Sequence, residues 1–203
     1  MYSPKKFKEE FFDFCQDDYI NVINISDKNN ETNYQLDYIG NIVEMKPIKY
    51  YSLSMDQIKK CAVRQLEDGF PIWFGCDTKV CFNRKNGLID LGLFNFDSIL
   101  PLPRRFDKEL LLTYQLSRMS HAMVFTGVRT KNHLPECWKV ENSYGVDAGK
   151  NGYFMMTDEW FEQYVYQVVI EKKYLSAELK KMNMYETKRL APWSPVSTLA
   201  MVT

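Results

Sequence analysis

Ser120-His121-Ala122-Met123-Val124-Phe125-Thr126-Gly127 is followed by Trp138-Lys139-Val140-Glu141-Asn142-Ser143-Tyr144-Gly145 and then by Gly149-Lys150-Asn151-Gly152-Tyr153-Phe154-Met155-Met156. These three stretches decide the fold. The first two are extended apolar segments, and each carries one polar group with catalytic potential: an imidazole where the first begins, a carboxamide near the end of the second. Paired as an antiparallel hairpin through a loop from Thr130 to Glu136, the start of one strand lies opposite the end of the other. The pairing brings His121 and Asn142 side by side. An Asn carbonyl that accepts one ring N–H fixes the imidazole tautomer and leaves the second nitrogen facing a nucleophile, the arrangement of a Cys-His-Asn site.

Each residue also has a plainer reading. A lone His at a strand start is commonly structural, Asn-Ser-Tyr-Gly is good turn chemistry, and His133, in the polar run Lys131-Asn132-His133, reads as solvated.

The surrounding motifs weigh towards chemistry. The His-Ala-Met opening, the Glu-Asn-Ser-Tyr-Gly turn and the Gly-x-x-Gly-Tyr continuation resemble papain-like cysteine peptidases. Trp73-Phe74-Gly75-Cys76-Asp77 and Met156-Thr157-Asp158-Glu159-Trp160-Phe161, continuing to Tyr164-Val165, resemble the aminopeptidase C and bleomycin hydrolase branch. Asp18-Tyr19 and Leu190-Ala191-Pro192-Trp193 extend the likeness over nearly the whole chain. The resemblance implies an α+β papain-like fold, here its β-rich C-terminal half with an antiparallel sheet or barrel and a few helices. It implies His121 as general base and then acid, Asn142 as its orienter, and hydrolysis of N-terminal peptide bonds, with peptides as substrates and no metal or organic cofactor.

It also implies a nucleophilic Cys, with an oxyanion Gln ahead of it, upstream of the His. Nothing in the 120 residues before His121 matches that segment, so the chain is expected to need a Cys-bearing N-terminal half from elsewhere and to be inactive alone. The alternative is a non-catalytic pseudoenzyme serving binding or assembly. Of the five Cys, Cys61 falls mid-helix on an apolar stripe, Cys15 ends a helix, Cys137 lies in the hairpin and Cys76 follows a strand. None occupies the helix N-terminus or cationic setting that activates a thiol.

Where papain-like enzymes usually carry Trp after Asn-Ser, this chain has Tyr144, a ring that could shield the His–Asn hydrogen bond while adding a hydroxyl. Tyr144 is therefore a candidate for the substrate cleft. Val196-Ser197-Thr198-Leu199-Ala200 resembles the C-terminal arm whose carboxylate, in that branch, meets the substrate's free amine. Met201-Val202-Thr203 runs on past the usual stop by up to ~10 Å of extended chain. Ala200 and Thr203 are thus further cleft candidates, with a plain tail as the competing reading. Residues 1–182 are assigned to the papain-like portion and 183–203 to the arm. Family members form hexameric rings, which makes a homo-oligomer an expectation here.

Composition is consistent with this and excludes other classes. Lys plus Arg equals Asp plus Glu, 26 each, so no net field would draw nucleic acid or an anionic membrane. An aromatic fraction of 15% suits an aromatic core or a face kept for a partner. The Cys set is odd and lacks zinc-knuckle spacing, which fits a reduced, cytoplasmic setting. No apolar run reaches the ~18 residues of a membrane span.

The local signals place the remaining elements. Ser3-Pro4 starts a helix to about residue 16, and Asn21 to Thr32 reads as connection. Tyr34 to Val43 and Ile48 to Leu53 suggest short strands. Ser54 and Gln57 form a capping box for a helix with Ile58, Cys61, Ala62, Gln65 and Leu66 on one stripe, stopped by Gly69. Pro71 to Gly75 and Gly87 to Phe94 read as strands with a turn at Arg84-Lys85-Asn86-Gly87. Phe106 to Arg118 has no clean face. Thr157 is expected to cap a short helix, Tyr164 to Ile170 to be a strand, Ser176 to Met182 a short helix, and Lys188 to Thr203 an aperiodic tail.

Overall fold

The structure is a computed structural model that describes residues 2–12, 15–26, 32–38, 44, 47–99 and 105–194. In chain order its main elements are α1 (Pro4–Phe11), β1 (Tyr19–Ile23), β2 (Asn33–Leu36), β3 (Lys49–Ser52), α2 (Met55–Glu67), β4 (Ile72–Cys76), β5 (Phe82–Asn83), β6 (Leu88–Ile89), α3 (Lys108–Thr113), β7 (His121–Lys131), β8 (Leu134–Glu141), β9 (Tyr153–Thr157), α4 (Asp158–Tyr164), β10 (Val165–Glu171) and β11 (Thr187–Leu190). Among the described residues the strands form one sheet in the order β11-β2-β3-β1-β10-β4-β7-β8-β9-β6-β5. The expected antiparallel sheet is in fact mixed, because β1/β3, β2/β11 and β6/β9 run parallel. The α+β character stands.

The β7–β8 hairpin is tighter than the seven-residue loop expected from sequence. Its turn is only Asn132 and His133, both with positive φ (52° and 62°), the condition of a two-residue turn that matches strand twist. Two irregularities follow, one leaving Thr126 and one leaving Glu136 unpaired on opposite strands. Their offsets cancel, so Phe125 faces Val140 and Val124 faces Glu141 at the far end.

α2 forms for the reason read from its sequence. Ser54 Oγ accepts from Gln57 N, Gln57 Oε1 accepts from Ser54 N, and the helix lies against β4, β7 and β10. Gly69 ends it with φ 85°. Beneath it Phe74 and Phe125 stack at 3.7 Å, and Trp138 and Phe161 continue the cluster at 5.1 and 4.5 Å. Such rings contribute the largest single burials of a core.

Several local expectations are corrected. The first helix stops at Phe11, since Phe12 is extended, and none of its residues is buried. Asn21 is no connection: with Val22 and Ile23 it lies in β1, bonded on both sides by β10 and β3, and its polar side chain accepts from Gln167 Nε2 at 2.8 Å. The strand expected over Gly87 to Phe94 is limited to Leu88–Ile89, after which Asp90 caps a 3₁₀ turn. Asp107 nucleates α3 inside the ambiguous 106–118 stretch by accepting from Glu109 N and Leu110 N. Thr157 sits at the cap position of α4 but makes no side-chain cap bond; its hydroxyl instead donates to Asp90 Oδ1. The helix expected at 176–182 is 3₁₀, over Leu179–Met184. Thr187–Leu190, at the start of the supposed aperiodic tail, pairs with β2. The second half of the strand expected at Tyr34 to Val43, residues 27–31 of the connection expected at Asn21 to Thr32, and the Val196 to Thr203 arm with Ala200 and Thr203 lie outside the described residues.

Candidate active site

β4 is the strand that places the imidazole. Antiparallel pairing sets Cys76 opposite His121, and Ser120 N donates to Cys76 O. The approach to His121 is then fixed by Asp77, which is almost fully buried. Its carboxyl oxygens accept from Ser117 Oγ at 2.8 Å, Arg118 N at 3.1 Å, Ser120 Oγ at 3.2 Å and Lys79 N at 3.0 Å. Tyr166 extends the network by donating its hydroxyl to Ser117 Oγ, and burial first of all pushes that phenol's pKa well up. A buried polar group so fully satisfied rigidifies the segment it holds. Gly75 lets the Met119 side chain lie against the strand here, since a Cβ would meet Met119 Sδ at 2.0 Å and that flexible side chain would have to move.

Asn142 comes from the other side of the hairpin. The chain leaves the ladder after Glu141, and Asn142 N donates to Gly152 O, turning the carboxamide towards β7. Asn142 Oδ1 lies 3.0 Å from His121 Nε2 and accepts from Ser143 N at 2.8 Å. The second contact fixes the chemistry of the first. A main-chain N–H donates only to an acceptor, so the atom between Ser143 and the ring is the carbonyl oxygen and not the amide nitrogen. His121 Nε2 must therefore carry the proton it donates, which leaves Nδ1 as the basic nitrogen. Asn142 Nδ2 is buried with no hydrogen-bond partner among the described residues.

Tyr144 stacks on the imidazole with centroids 5.3 Å apart and planes 18° from parallel. Its ring also meets Phe154 edge-on at 6.5 Å and the Arg84 guanidinium at 4.1 Å. His133, by contrast, occupies the turn at the opposite end of the hairpin.

The resident thiols are poorly suited to attack. Cys76 is the nearest along the ladder, yet it is fully buried, and burial together with the Asp77 charge pushes its thiol well up. Burial pushes Cys61 up to about 11 and raises Cys81 as well. Cys15 is exposed beyond α1. Two participants in this geometry were not singled out from sequence as part of the site: Asp77, quoted only as part of a motif, and Arg84, read only as a turn residue. Asp77-Thr78-Lys79 does carry the local signal of an Asp accepting from the N–H two residues on. Nothing local announces its bonds to Ser117 and Ser120.

Comparison with known proteins identifies the family. The Peptidase C1-like family profile matches residues 1–197. Aminopeptidase C of Listeria innocua is 40% identical over 201 residues, 98% of this chain and 46% of that protein. Aminopeptidase C of Lactococcus lactis subsp. cremoris is 39% identical over 203 residues, again 46% of its length. Bleomycin hydrolase of Gallus gallus is 37% identical over 171 residues, covering 82% of this chain and 38% of the hydrolase. The crystal structure of PepW from Lactobacillus rhamnosis HN001 superposes with a TM-score of 0.87 at 37% identity, over 96% of this chain and 45% of that one. The chain thus spans about half the length of the relatives it matches. With a papain-like α+β fold and the motifs of the aminopeptidase C and bleomycin hydrolase branch, the chain belongs to the Peptidase C1-like family.

Proposed function

We propose that this chain supplies the His–Asn part of a cysteine aminopeptidase site, with the nucleophilic Cys and the oxyanion Gln carried by polypeptide outside it. The observation that carries the reading is the bond from His121 Nε2 to Asn142 Oδ1, with the oxygen identified by Ser143 N. In the complete site His121 Nδ1 takes the proton of the incoming thiol, and the imidazolium keeps its Nε2–H on Asn142. The thiolate adds to the carbonyl carbon of the N-terminal peptide bond. Nδ1–H then protonates the departing amine, leaving a thioester. His121 Nδ1 next removes a proton from water, which hydrolyses the thioester and releases the amino acid. Tyr144, flat on the imidazole, shields the His–Asn bond from competing water.

The raised thiols of Cys61, Cys76 and Cys81 support a nucleophile from outside the chain. So do the exposed aromatics of α1 (Phe7 at 45%, Phe11 at 55%), an apolar face of the kind that contacts further polypeptide. The test is complementation. The purified chain is assayed on aminoacyl-coumarin substrates alone and with a polypeptide bearing the Gln and Cys segment. Activity only in the mixture, abolished by His121→Ala, is the expected result. Thiol-dependent turnover by the chain alone would overturn the placement of the nucleophile, and a silent mixture would favour a binding or assembly role.

A further inference from the structure

We propose that Arg84 is a positioning residue for His121, acting through the ring of Tyr144; this deepens the peptidase reading above and rests on its assignment of His121. Tyr144 lies outside any strand or helix, in the bend that follows Asn142. Its orientation therefore depends on what surrounds the ring. The Phe154 contact, edge-on at 6.5 Å, is near the outer limit of an aromatic pair. The Arg84 guanidinium at 4.1 Å from the ring centroid is the close one, and its positive charge meets the negative π face.

The backbone that carries Arg84 is independently clamped to the Asn142 loop. Arg84 O accepts from Gly149 N at 3.0 Å, and Gly87 O accepts from Met155 N at 2.8 Å. Gly87 packs so closely that a Cβ there would sit 2.8 Å from Gly149 Cα. The turn cannot slide relative to the loop, so the Arg84 side chain starts from a fixed point beside the Tyr144 ring. Removing the Arg84 side chain leaves these main-chain bonds intact, so side-chain substitutions separate the cation on the ring from the architecture beneath it.

An exposed cation–π contact corresponds to a roughly two- to five-fold bias towards the stacked ring. Proton NMR of the His121 ring reads that bias, because a stacked phenol shields the Hδ2 and Hε1 protons. Tyr144→Leu defines the unstacked limit. Arg84→Met should move both resonances part of the way to that limit, Arg84→Lys should stay near the parent, and Lys85→Ala, one position along the turn, should change nothing.

Arg84→Met spectra that coincide with the parent would overturn the proposal. So would a Tyr144→Leu spectrum without displacement, or Arg84→Met perturbations spread through the amides of α2 and β1. The measurement needs no turnover. A failed complementation with an intact NMR response would therefore defeat the peptidase reading without touching the Arg84–Tyr144–His121 coupling, and the reverse pattern would do the opposite.

Discussion

Replacing Lys59 with Met should destabilise the protein far more than its single charge suggests. Lys59 Nζ lies on the buried side of α2, its side chain only 7% exposed, and sits 2.5 Å from both Asp158 Oδ2 and Glu162 Oε1 of α4. Asp158 Oδ1 also accepts from Trp138 Nε1 at 3.1 Å, so the cluster ties α2 and α4 to the strand that runs on to Asn142. Removing the cation leaves two carboxyl groups facing each other without it. Breaking a buried pair in this way costs about 3–5 kcal/mol. The acids are 20% and 30% exposed, which selects the lower end, about 3 kcal/mol. For a chain of this size that is a fall in Tm of about 6–12 °C at neutral pH.

The pH dependence has a definite sign. Burial pushes the Glu162 carboxyl up, but the hydrogen bond and charge of Lys59 and the nearby Arg105 outweigh it and hold the carboxyl below its ordinary value. A depressed carboxyl contributes stability that is present above the unfolded-state pKa and is lost as pH falls through the folded-state value. The parent should therefore lose stability below about pH 4.5 more steeply than Lys59→Met. Scanning calorimetry across pH 3–7 is the assay. Adding Asp158→Asn and Glu162→Gln to Lys59→Met should recover part of the loss, since it removes the Asp158 charge left without its cation and the Glu162 charge left with Arg105 alone. A Lys59→Met melt within 2 °C of the parent, or a triple variant no better than the single one, would refute the electrostatic account in favour of simple packing.

The other perturbations probe the site's supports. Asp77→Ala removes the acceptor of four donors next to His121; charged-acceptor bonds at the weak end of their range, counted for only two of them, give a loss of about 3 kcal/mol. Hydrogen exchange should accelerate at Arg118 and Ser120, and unchanged protection there would count against the anchoring role. Gly75→Ala puts a methyl against the flexible Met119 side chain, which can turn aside, so the loss should be at the low end of overpacking, about 1 kcal/mol, read as a lowered urea midpoint. A thiol reagent should label Cys15 in the folded protein while Cys61 and Cys76 react only after unfolding; rapid native labelling of Cys76 would reopen its candidacy as nucleophile.

How far the sequence can be read depends on whether the decisive partners are local. The Ser54–Gln57 box, the apolar stripe of α2 and the Gly69 stop all act within a few residues, and the structure reproduces them. The His121–Asn142 contact was legible despite its separation because a hairpin converts sequence distance into position. Asn21 reads locally as connection because its strand character comes from neighbours on both sides, β3 and β10, that no window around Asn21 reveals. Arg84 and Asp77 fall in the same class: each acts on the site through contacts 40 or more residues away, with side chains that read locally as turn formers. The place of the Tyr144 ring beside the His–Asn pair follows from the family resemblance, while the Arg84 guanidinium on that ring is a tertiary contact with no local sign.

The tautomer of His121 offers the most direct check on the site, because it follows from one hydrogen bond that does not involve the ring. Ser143 N–H makes the contacting Asn142 atom an oxygen, and that oxygen makes Nε2 the protonated nitrogen. Nitrogen-15 spectra of the neutral imidazole should then show a protonated Nε2 and an unprotonated Nδ1 in this chain alone, without any thiol. Asn142→Ala deletes a neutral hydrogen bond with a net value of about 0.5–1.5 kcal/mol, so the ratio of the two tautomers should fall by about two- to thirteen-fold. Ser143→Ala, which keeps its main-chain N–H, should leave the ratio unchanged. A parent spectrum with the proton on Nδ1 would mean that the lone pair points at Asn142 and away from any incoming nucleophile, and the general-base role would lose its geometric foundation.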